Sequence, residues 1–363
     1  MAFTATDHRH MAHALALAER GLFTTQPNPR VGCVIAHGDA VVGEGWHQRA
    51  GGPHAEVFAL RAAGERARGA TAYVTLEPCG LHGRTPPCAD ALIAAGVARV
   101  VIAAEDTSQA EGAGLARLRA AGTTVETGLM REPARELNVG FFRRIETGRP
   151  FVRAKLAMSL DGRTALANGA SQWITGEAAR ADGQRWRARS SALLTGSGTV
   201  LADNPRLTVR LPAEAEIAPP LRVVLDRRLR TPAGSHVLDA AAPTLLLHGS
   251  GAAVPAYLAG VERMVVGERG GGLDLGEVLR RLAARGCNEV HVEAGPTLGG
   301  ALLEAGLVDE LLVYIAPVLL GDDARPLLHL PALADMGARW KLQLLDQRAL
   351  GSDLRLRLRP AGD

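Results

Sequence analysis

Short apolar runs alternate with glycine-terminated helical stretches along most of the chain, and this constrains the fold more than any other feature. Strands joined through helices form parallel ladders, and the helices cover the sheet faces. Asp7–Gly21 carries Met11, Ala14, Leu15 and Ala18 at helical spacing, with Gly21 as its stop. Val31–Ala36 and Ala40–Glu44 flank His37-Gly38-Asp39, a hairpin signal. His54–Ala63 and Cys88–Ala95 read as helices ended by Gly64 and Gly96, and Thr71–Leu76 and Arg99–Ala104 read as strands. Ile145–Pro150 interrupts the pattern with Gly148 and Pro150. The strand pattern resumes at Phe151–Met158, Ser191–Leu194, Arg222–Leu225, Thr244–Leu247, Glu289–Val292 and Glu310–Pro317. A length of 363 residues suits two domains, expected at 1–147 and 148–363. Both belong to the α/β class, the second with about eight strands.

Charge narrows the function. The formal net charge is +3 with no run of five like charges, so no nucleic-acid footprint is expected. No charge-free stretch of 18 apolar residues exists, and Met1–His13 lacks the apolar core of a secretory signal. Four cysteines do not make a disulfide framework. A cytoplasmic, reduced protein without membrane partners is expected, its cysteines buried, metal-bound or catalytic. Of 41 basic side chains only Lys155 and Lys341 are lysine. A lysine that survives such a bias is a candidate for a role that arginine cannot fill.

The strongest local signal is His54-Ala55-Glu56, followed by Pro78-Cys79 and Cys88. One imidazole and two thiolates bind Zn2+ and leave a fourth position for water, whose pKa the metal lowers toward neutrality. Glu56, not a ligand, would move the proton, which is the division of labour in zinc nucleobase deaminases. Their usual C-x-x-C is here stretched by the insert Gly80–Pro87. A closed structural site would need a fourth protein ligand, for which His82 is the candidate, and would leave Glu56 without a role. Cys33 and Cys287 sit in apolar segments and read as core residues.

Two segments stand out in the second half. Glu289-Val-His-Val-Glu293 is a strand running into Ala294-Gly295-Pro-Thr-Leu-Gly-Gly300, a turn that opens a helix and offers backbone N–H groups to a phosphate. It is not the G-x-G-x-x-G fingerprint. The other segment, Lys155–Ala165, buries a lysine in an apolar strand, so Lys155 needs a partner, a water or a ligand.

Together these motifs carry a family resemblance. Pro27–Gly32, His54–Glu56 and Thr75–Cys79 with Gly83-Arg84-Thr85-Pro86-Pro87-Cys88 resemble the bifunctional riboflavin-biosynthesis deaminase/reductases, whose pattern includes the insert between the cysteines. Ser171–Thr175, Thr199–Arg210, Leu225-Asp226 and the two segments above resemble that family's reductase domain, so the likeness runs from about residue 7 to about residue 330. It implies a cytidine-deaminase-like αβα sandwich followed by a dihydrofolate-reductase-like α/β domain. Implied cofactors are Zn2+ and NADPH, and the implied substrate is a pyrimidine ribonucleotide. Asn28, His47, His82 and Arg84 would line the deaminase pocket. Ala157, Trp173, Thr199, Asp203, Arg227 and the Gly295, Pro296, Thr297, Leu298, Gly299, Gly300, Ala301 loop would contact NADPH. Ser171, Arg187, Leu207, Arg210 and Glu293 would contact the reductase substrate, with Arg187 and Arg210 suited to a phosphate. Lys155 is expected to orient or protonate that substrate. A homo-oligomer, dimer or tetramer, is also expected. Asp106–Gly114 departs from the family's Asp-Pro-Asn-Pro-like segment. The second-half motifs argue against a plain cytidine or deoxycytidylate deaminase, and the unclustered charge argues against an RNA-editing protein.

Overall fold

The computed structural model describes residues 3–80, 87–108 and 113–361. The chain forms two compact units, Met1–Gly148 and Arg149–Asp363.

In the first unit, α1 (Ala5–Glu19) begins earlier than the apolar spacing alone suggests. Thr4 and Asp7 form a capping box, in which Asp7 N–H donates to Thr4 Oγ1 and Thr4 N–H donates to Asp7 Oδ2. Next come the hairpin strands β1 (Gly32–His37) and β2 (Ala40–Trp46), joined through Gly38 at φ +54°. The helix α2 (Ala55–Ala63), strand β3 (Thr71–Leu76), helix α3 (Cys88–Ala94), strand β4 (Arg99–Ala104), helix α4 (Ala113–Ala120) and strand β5 (Thr124–Thr127) follow. Helices α5 (Arg131–Leu137) and α6 (Val139–Thr147) close the unit.

The sheet order is β2-β1-β3-β4-β5, with β1 antiparallel to β2 and β3 and the rest parallel. Alternate residues along each strand feed two cores. Ile35, Val74 and Ile102 pack with α2, α3 and α4, while Val34, Tyr73 and Val101 pack with α1, α5 and α6. Gly45 lets α2 lie directly on β2, since a Cβ there would sit 2.5 Å from that of Phe58. This seats the first turn of α2 against the sheet.

The second unit opens with β6 (Phe151–Ser159), β7 (Arg163–Ala165), α7 (Glu177–Ala188), β8 (Ala192–Gly196) and α8 (Ser197–Asp203). It continues through β9 (Leu221–Leu225), β10 (Thr244–His248), β11 (Glu262–Val265), the ribbon β12 (Glu268–Arg269) and β13 (Gly272–Leu273), and α9 (Leu275–Ala284). The last elements are β14 (Glu289–Val292), α10 (Pro296–Glu304), β15 (Glu310–Ala316), β16 (Arg325–Pro326), β17 (Leu342–Leu350) and β18 (Asp353–Pro360). Nine strands make one sheet in the order β11-β10-β9-β8-β14-β6-β15-β18-β17. It is parallel from β11 to β15 and antiparallel through β18 and β17.

One face of that sheet is apolar, with Val152, Ala154, Leu156, Val290 and Val292 against α9 and α10. The other face carries charge under α7. Arg153 is enclosed, with Nη1 donating to Glu289 (3.0 Å) and Nε to Glu310 (2.6 Å), and its guanidinium lies 4.5 Å from the Trp186 ring centre. The strands β11, β17 and β18 were not expected from the sequence. In β18, Leu354, Leu356 and Leu358 alternate with Arg355, Arg357 and Arg359, a period-two pattern in which arginine fills the polar face. Arg357 Nη2 donates to Glu310 there (2.7 Å).

Asp7 ties α1 to the sheet. It accepts from Tyr73 Oη (2.8 Å) and Arg99 Nη1 (2.6 Å). Burial alone would raise its pKa, but hydrogen bonds from Arg99, Thr4 and Tyr73 overcome this and hold it below the ordinary 3.8. The stabilisation is therefore present above that pH and is lost as pH falls further. Asp7→Ala leaves Arg99 its pair with Glu126 but removes the acceptor of Tyr73 Oη and the Thr4 capping box, and should destabilise the first unit by about 2 kcal/mol at pH 7. Urea unfolding followed by Trp46 fluorescence reads this, and an unchanged midpoint would refute it.

Candidate active sites

In the first unit, three expected ligands converge. His54 is the residue preceding α2, Cys79 lies in the loop after β3, and Cys88 is the first residue of α3. Their ligand atoms lie within 4.8 Å of one another. His54 Nδ1 is 3.3 Å from Cys88 Sγ and 3.6 Å from Cys79 Sγ, and Cys88 N–H donates to Cys79 Sγ (3.2 Å). Hydrogen bonding from Cys88 leads in lowering Cys79 to about 4, and the same contact raises Cys88. The hydrogen bond with Cys79 raises His54. A thiolate, a second thiol and an imidazole crowded together are the donor set of a zinc site.

Glu56 sits in the first turn of α2 and is 2% exposed. Burial raises its pKa, and its Oε2 has no hydrogen-bond partner among the described residues. A carboxyl in that state holds a proton readily and has a free oxygen for a reacting group. Asn28 Nδ2 donates to His47 Nε2 (3.1 Å), so His47 Nδ1–H donates to the Pro53 carbonyl (2.9 Å) and the ring is neutral. Burial lowers the His47 pKa, and its ring stands edge-on to His54 at 5.6 Å. His82 and Arg84 lie outside the described residues, as does 109–112 of the Asp106–Gly114 segment.

Sequence reasoning missed Glu77. Its buried carboxylate accepts from the backbone N–H groups of Asp106 (3.2 Å) and Leu115 (3.3 Å). It thereby ties the strand end before Cys79 to the following loop. The signal was an acidic residue placed directly before Pro78-Cys79.

In the second unit, a cavity of about 1190 Å³ gathers residues from across the chain. Lys155 and Ala157 come from β6, Ser171 and Trp173 from the segment before α7, and Arg187 from α7. Thr199 and Asp203 come from α8, and Leu207, Arg210 and Arg227 from loops. Glu293, Gly295, Pro296, Thr297, Leu298 and Ala301 follow β14. Gly299 and Gly300 are buried within α10, where a Cβ on Gly300 would meet the His329 carbonyl at 2.0 Å. Arg180, Arg269, Arg325 and His329 also line the cavity, and sequence reasoning had not named them.

The electrostatic centre is Glu293. Arg187 Nη2 donates to its Oε2 (2.7 Å) and Arg187 Nε to its Oε1, while Arg187 Nη1 donates to the Thr208 carbonyl (3.0 Å). Burial would raise Glu293, yet the Arg187 charge holds it well below the usual carboxylate range. For Lys155, burial lowers the pKa and so does Arg187, against the attraction of Glu293. Its Nζ lies 5.7 Å from the Tyr314 ring centre. For Arg210, burial and the nearby Arg187 lower the pKa. Leu207 reaches the cavity on left-handed backbone at φ +47°, a strained conformation for a leucine.

The N-terminus of α10 faces the same cavity. Gly295 precedes the helix and makes no side-chain cap bond, which leaves the first-turn N–H groups for a ligand oxygen. This fits the pyrophosphate of a dinucleotide.

Comparison with known proteins places both units. The cytidine and deoxycytidylate deaminase zinc-binding region matches residues 4–104, and the RibD C-terminal domain matches residues 150–356. The riboflavin biosynthesis protein RibD of Escherichia coli is 50% identical, covering 97% of this chain and 99% of its own. That of Haemophilus influenzae is 45% identical, covering 99% of each. The crystal structure of Acinetobacter baumannii RibD superposes with a TM-score of 0.92 at 45% identity, covering 98% of this chain and 99% of the other. A Thermotoga maritima diaminohydroxyphosphoribosylaminopyrimidine deaminase/5-amino-6-(5-phosphoribosylamino)uracil reductase gives 0.88 at 32%, with the same coverage.

The ligand geometry predicts one zinc ion per chain. Metal analysis of purified protein should find it lost in Cys88→Ala and retained in Cys33→Ala, since Cys33 is buried outside the ligand set. Retention in Cys88→Ala would refute the assigned ligands.

Proposed function

The chain belongs to the RibD family of bifunctional riboflavin-biosynthesis deaminase/reductases, and from that premise we propose how its own residues divide the two reactions. The first unit takes 2,5-diamino-6-(5-phosphoribosylamino)pyrimidin-4-one and releases ammonia. The second reduces the ribosyl chain of the resulting uracil to ribityl, giving 5-amino-6-(5-phosphoribitylamino)uracil. One observation carries the reading: each unit holds its own reactive group, Glu56 beside three ligand atoms and Lys155 beside a clamped Glu293.

His54, Cys79 and Cys88 would hold zinc, which when bound supplies a Lewis acid that makes water a nucleophile near neutral pH. Glu56 takes a proton from the attacking water and passes it to the ring nitrogen, then takes the proton of the new hydroxyl and passes it to the amine, which leaves as ammonia. Its burial favours the protonated intermediate state of that transfer. Asn28 binds the ring edge through its remaining amide atoms, and His47, neutral and held between Asn28 and the Pro53 carbonyl, lines the pocket and orients Asn28. His82 and Arg84 belong to this pocket by family likeness.

In the reductase half, the Gly295–Ala301 turn, Ala157, Trp173, Thr199, Asp203 and Arg227 would hold NADPH, which supplies a hydride. Lys155 gives a proton to the sugar oxygen or orients a hydroxyl, since burial weakens its hold on that proton. Ser171, Leu207 and Glu293 position the sugar. Three Arg187 nitrogens are committed to Glu293 and Thr208. Arg210 makes no ion pair among the described residues, so it takes the larger share of the 5′-phosphate.

The Cys79 and Cys88 thiols stand ready as metal ligands, which suits a reducing, cytoplasmic setting. No helix among the described residues is long and apolar enough to cross a membrane. Exposed Leu342, Leu344 and Leu354 on the outer hairpin support a homo-oligomer, dimer or tetramer. Sedimentation should give two or four chains per particle, and a monomer at micromolar concentration would refute this.

The two halves separate by mutation. Glu56→Gln should keep zinc and abolish ammonia release, while reduction of pre-deaminated substrate continues. Lys155→Arg should lower reductase kcat at least tenfold, and Arg210→Ala should raise KM for the nucleotide. Ammonia release by Glu56→Gln, or full reductase turnover by Lys155→Arg, would overturn those roles.

A further inference from the structure

His291 is a buried titratable group that neither reaction uses. It lies in β14, fully enclosed, and neither ring nitrogen has a hydrogen-bond partner among the described residues. Its neighbours Val290 and Val292 face the apolar core, whereas His291 shares the charged face with Glu289 and Glu293 of its own strand. Arg153 of β6 is its cross-strand partner, and Lys155 lies two residues on along that face. Arg187 of α7 acts on it from above, and its partner on β8 is the uncharged Leu193. His291 Nε2 is 3.4 Å from Glu293 Oε1, the oxygen that also receives Arg187 Nε–H.

Leaving an imidazole enclosed with both nitrogens unpaired opposes folding, and an apolar residue would pack there without that penalty. A small movement of Glu293 toward His291 turns the 3.4 Å approach into a hydrogen bond. We propose that His291 is a positioning residue for the reductase reaction, donating from the sheet interior to Glu293 Oε1 so that the carboxylate is held from two sides when substrate is bound. The inference rests on the reading that Glu293 contacts substrate.

Burial holds the imidazole neutral at neutral pH. Acidification protonates it, adds a cation beside Arg153, Arg187 and Lys155, and draws Glu293 away from substrate. Reductase kcat should therefore fall on the acid side, at a pH below the ordinary imidazole range.

The test uses the full-length protein with pre-deaminated substrate. His291→Val removes the donor and should lower reductase kcat ten- to a hundredfold at pH 7.5, the scale of a misplaced reactive group. His291→Gln keeps an amide donor without the titration, so kcat should stay within about threefold at pH 7.5 and the acid limb should flatten. NADPH binding, read by fluorescence, and deaminase rate should stay near wild type in both. A wild-type rate and profile in His291→Val overturns the proposal. So does equal loss in both variants, or loss of NADPH binding, either of which assigns His291 to packing alone. Glu293→Gln separates the premise: if it reduces substrate at the wild-type rate, the reading of Glu293 fails. If it is impaired while His291→Val is not, only the inference about His291 fails.

Discussion

Arg153 is wholly enclosed in the middle of a parallel sheet, and the second unit is organised around satisfying that one charge. Glu289 on one neighbouring strand and Glu310 on the other take its protons, and Trp186 of α7 lies over its guanidinium. Arg189 and Arg357 in turn neutralise the second oxygens of those carboxylates. Removing one member would leave buried charge uncompensated, so the pairs lock strand neighbours and the helix above them into one arrangement. Lys155, two residues beyond Arg153, and Glu293, four beyond Glu289, continue the same face into the cavity. The reductase site is thus the open end of a buried charged ladder. Lys155 and Glu293 inherit low solvation and fixed geometry from the closed end, and both have shifted pKa values.

The first unit reaches reactivity by a different route. Its core is built of small and branched apolar residues, and its chemistry is concentrated where chain direction changes. His54 precedes a helix that glycine contacts press onto β2, and Cys88 opens another helix. Cys79 sits on a loop held by Glu77 through two backbone N–H groups. The partnerless oxygen of Glu56 is what a proton shuttle needs and what a purely structural zinc site would have no reason to bury.

Arginine's dominance over lysine has a structural side. Planar forks serve Arg153, Arg187 and Arg357, each bound to carboxylate oxygens in fixed geometry. Lys155, by contrast, has no carboxylate in salt-bridge contact among the described residues; it meets the Tyr314 ring and the field of Glu293. A compact ammonium that can release a proton suits that position, and a permanently charged fork does not.

The gathering of His54, Cys79 and Cys88, the buried carboxyl of Glu56 and the α/β sheet class were legible in the sequence. Each depends on residue type at short spacing or on local periodicity, which chain connectivity preserves. The alternation Leu-Arg-Leu-Arg in β18 was equally local, and was hidden because two of its arginines, Arg355 and Arg357, turn inward to pair with Asp182 and Glu310. The tertiary structure alone decided the rest. Arg187 meets Glu293 across 106 positions and Arg153 meets Glu310 across 157, contacts set by strand order and register. The isolation of His291 beside Glu293 has the same origin. A sequence states which face of a strand a side chain occupies, but only the packed sheet determines which charges share that face and how little water reaches them.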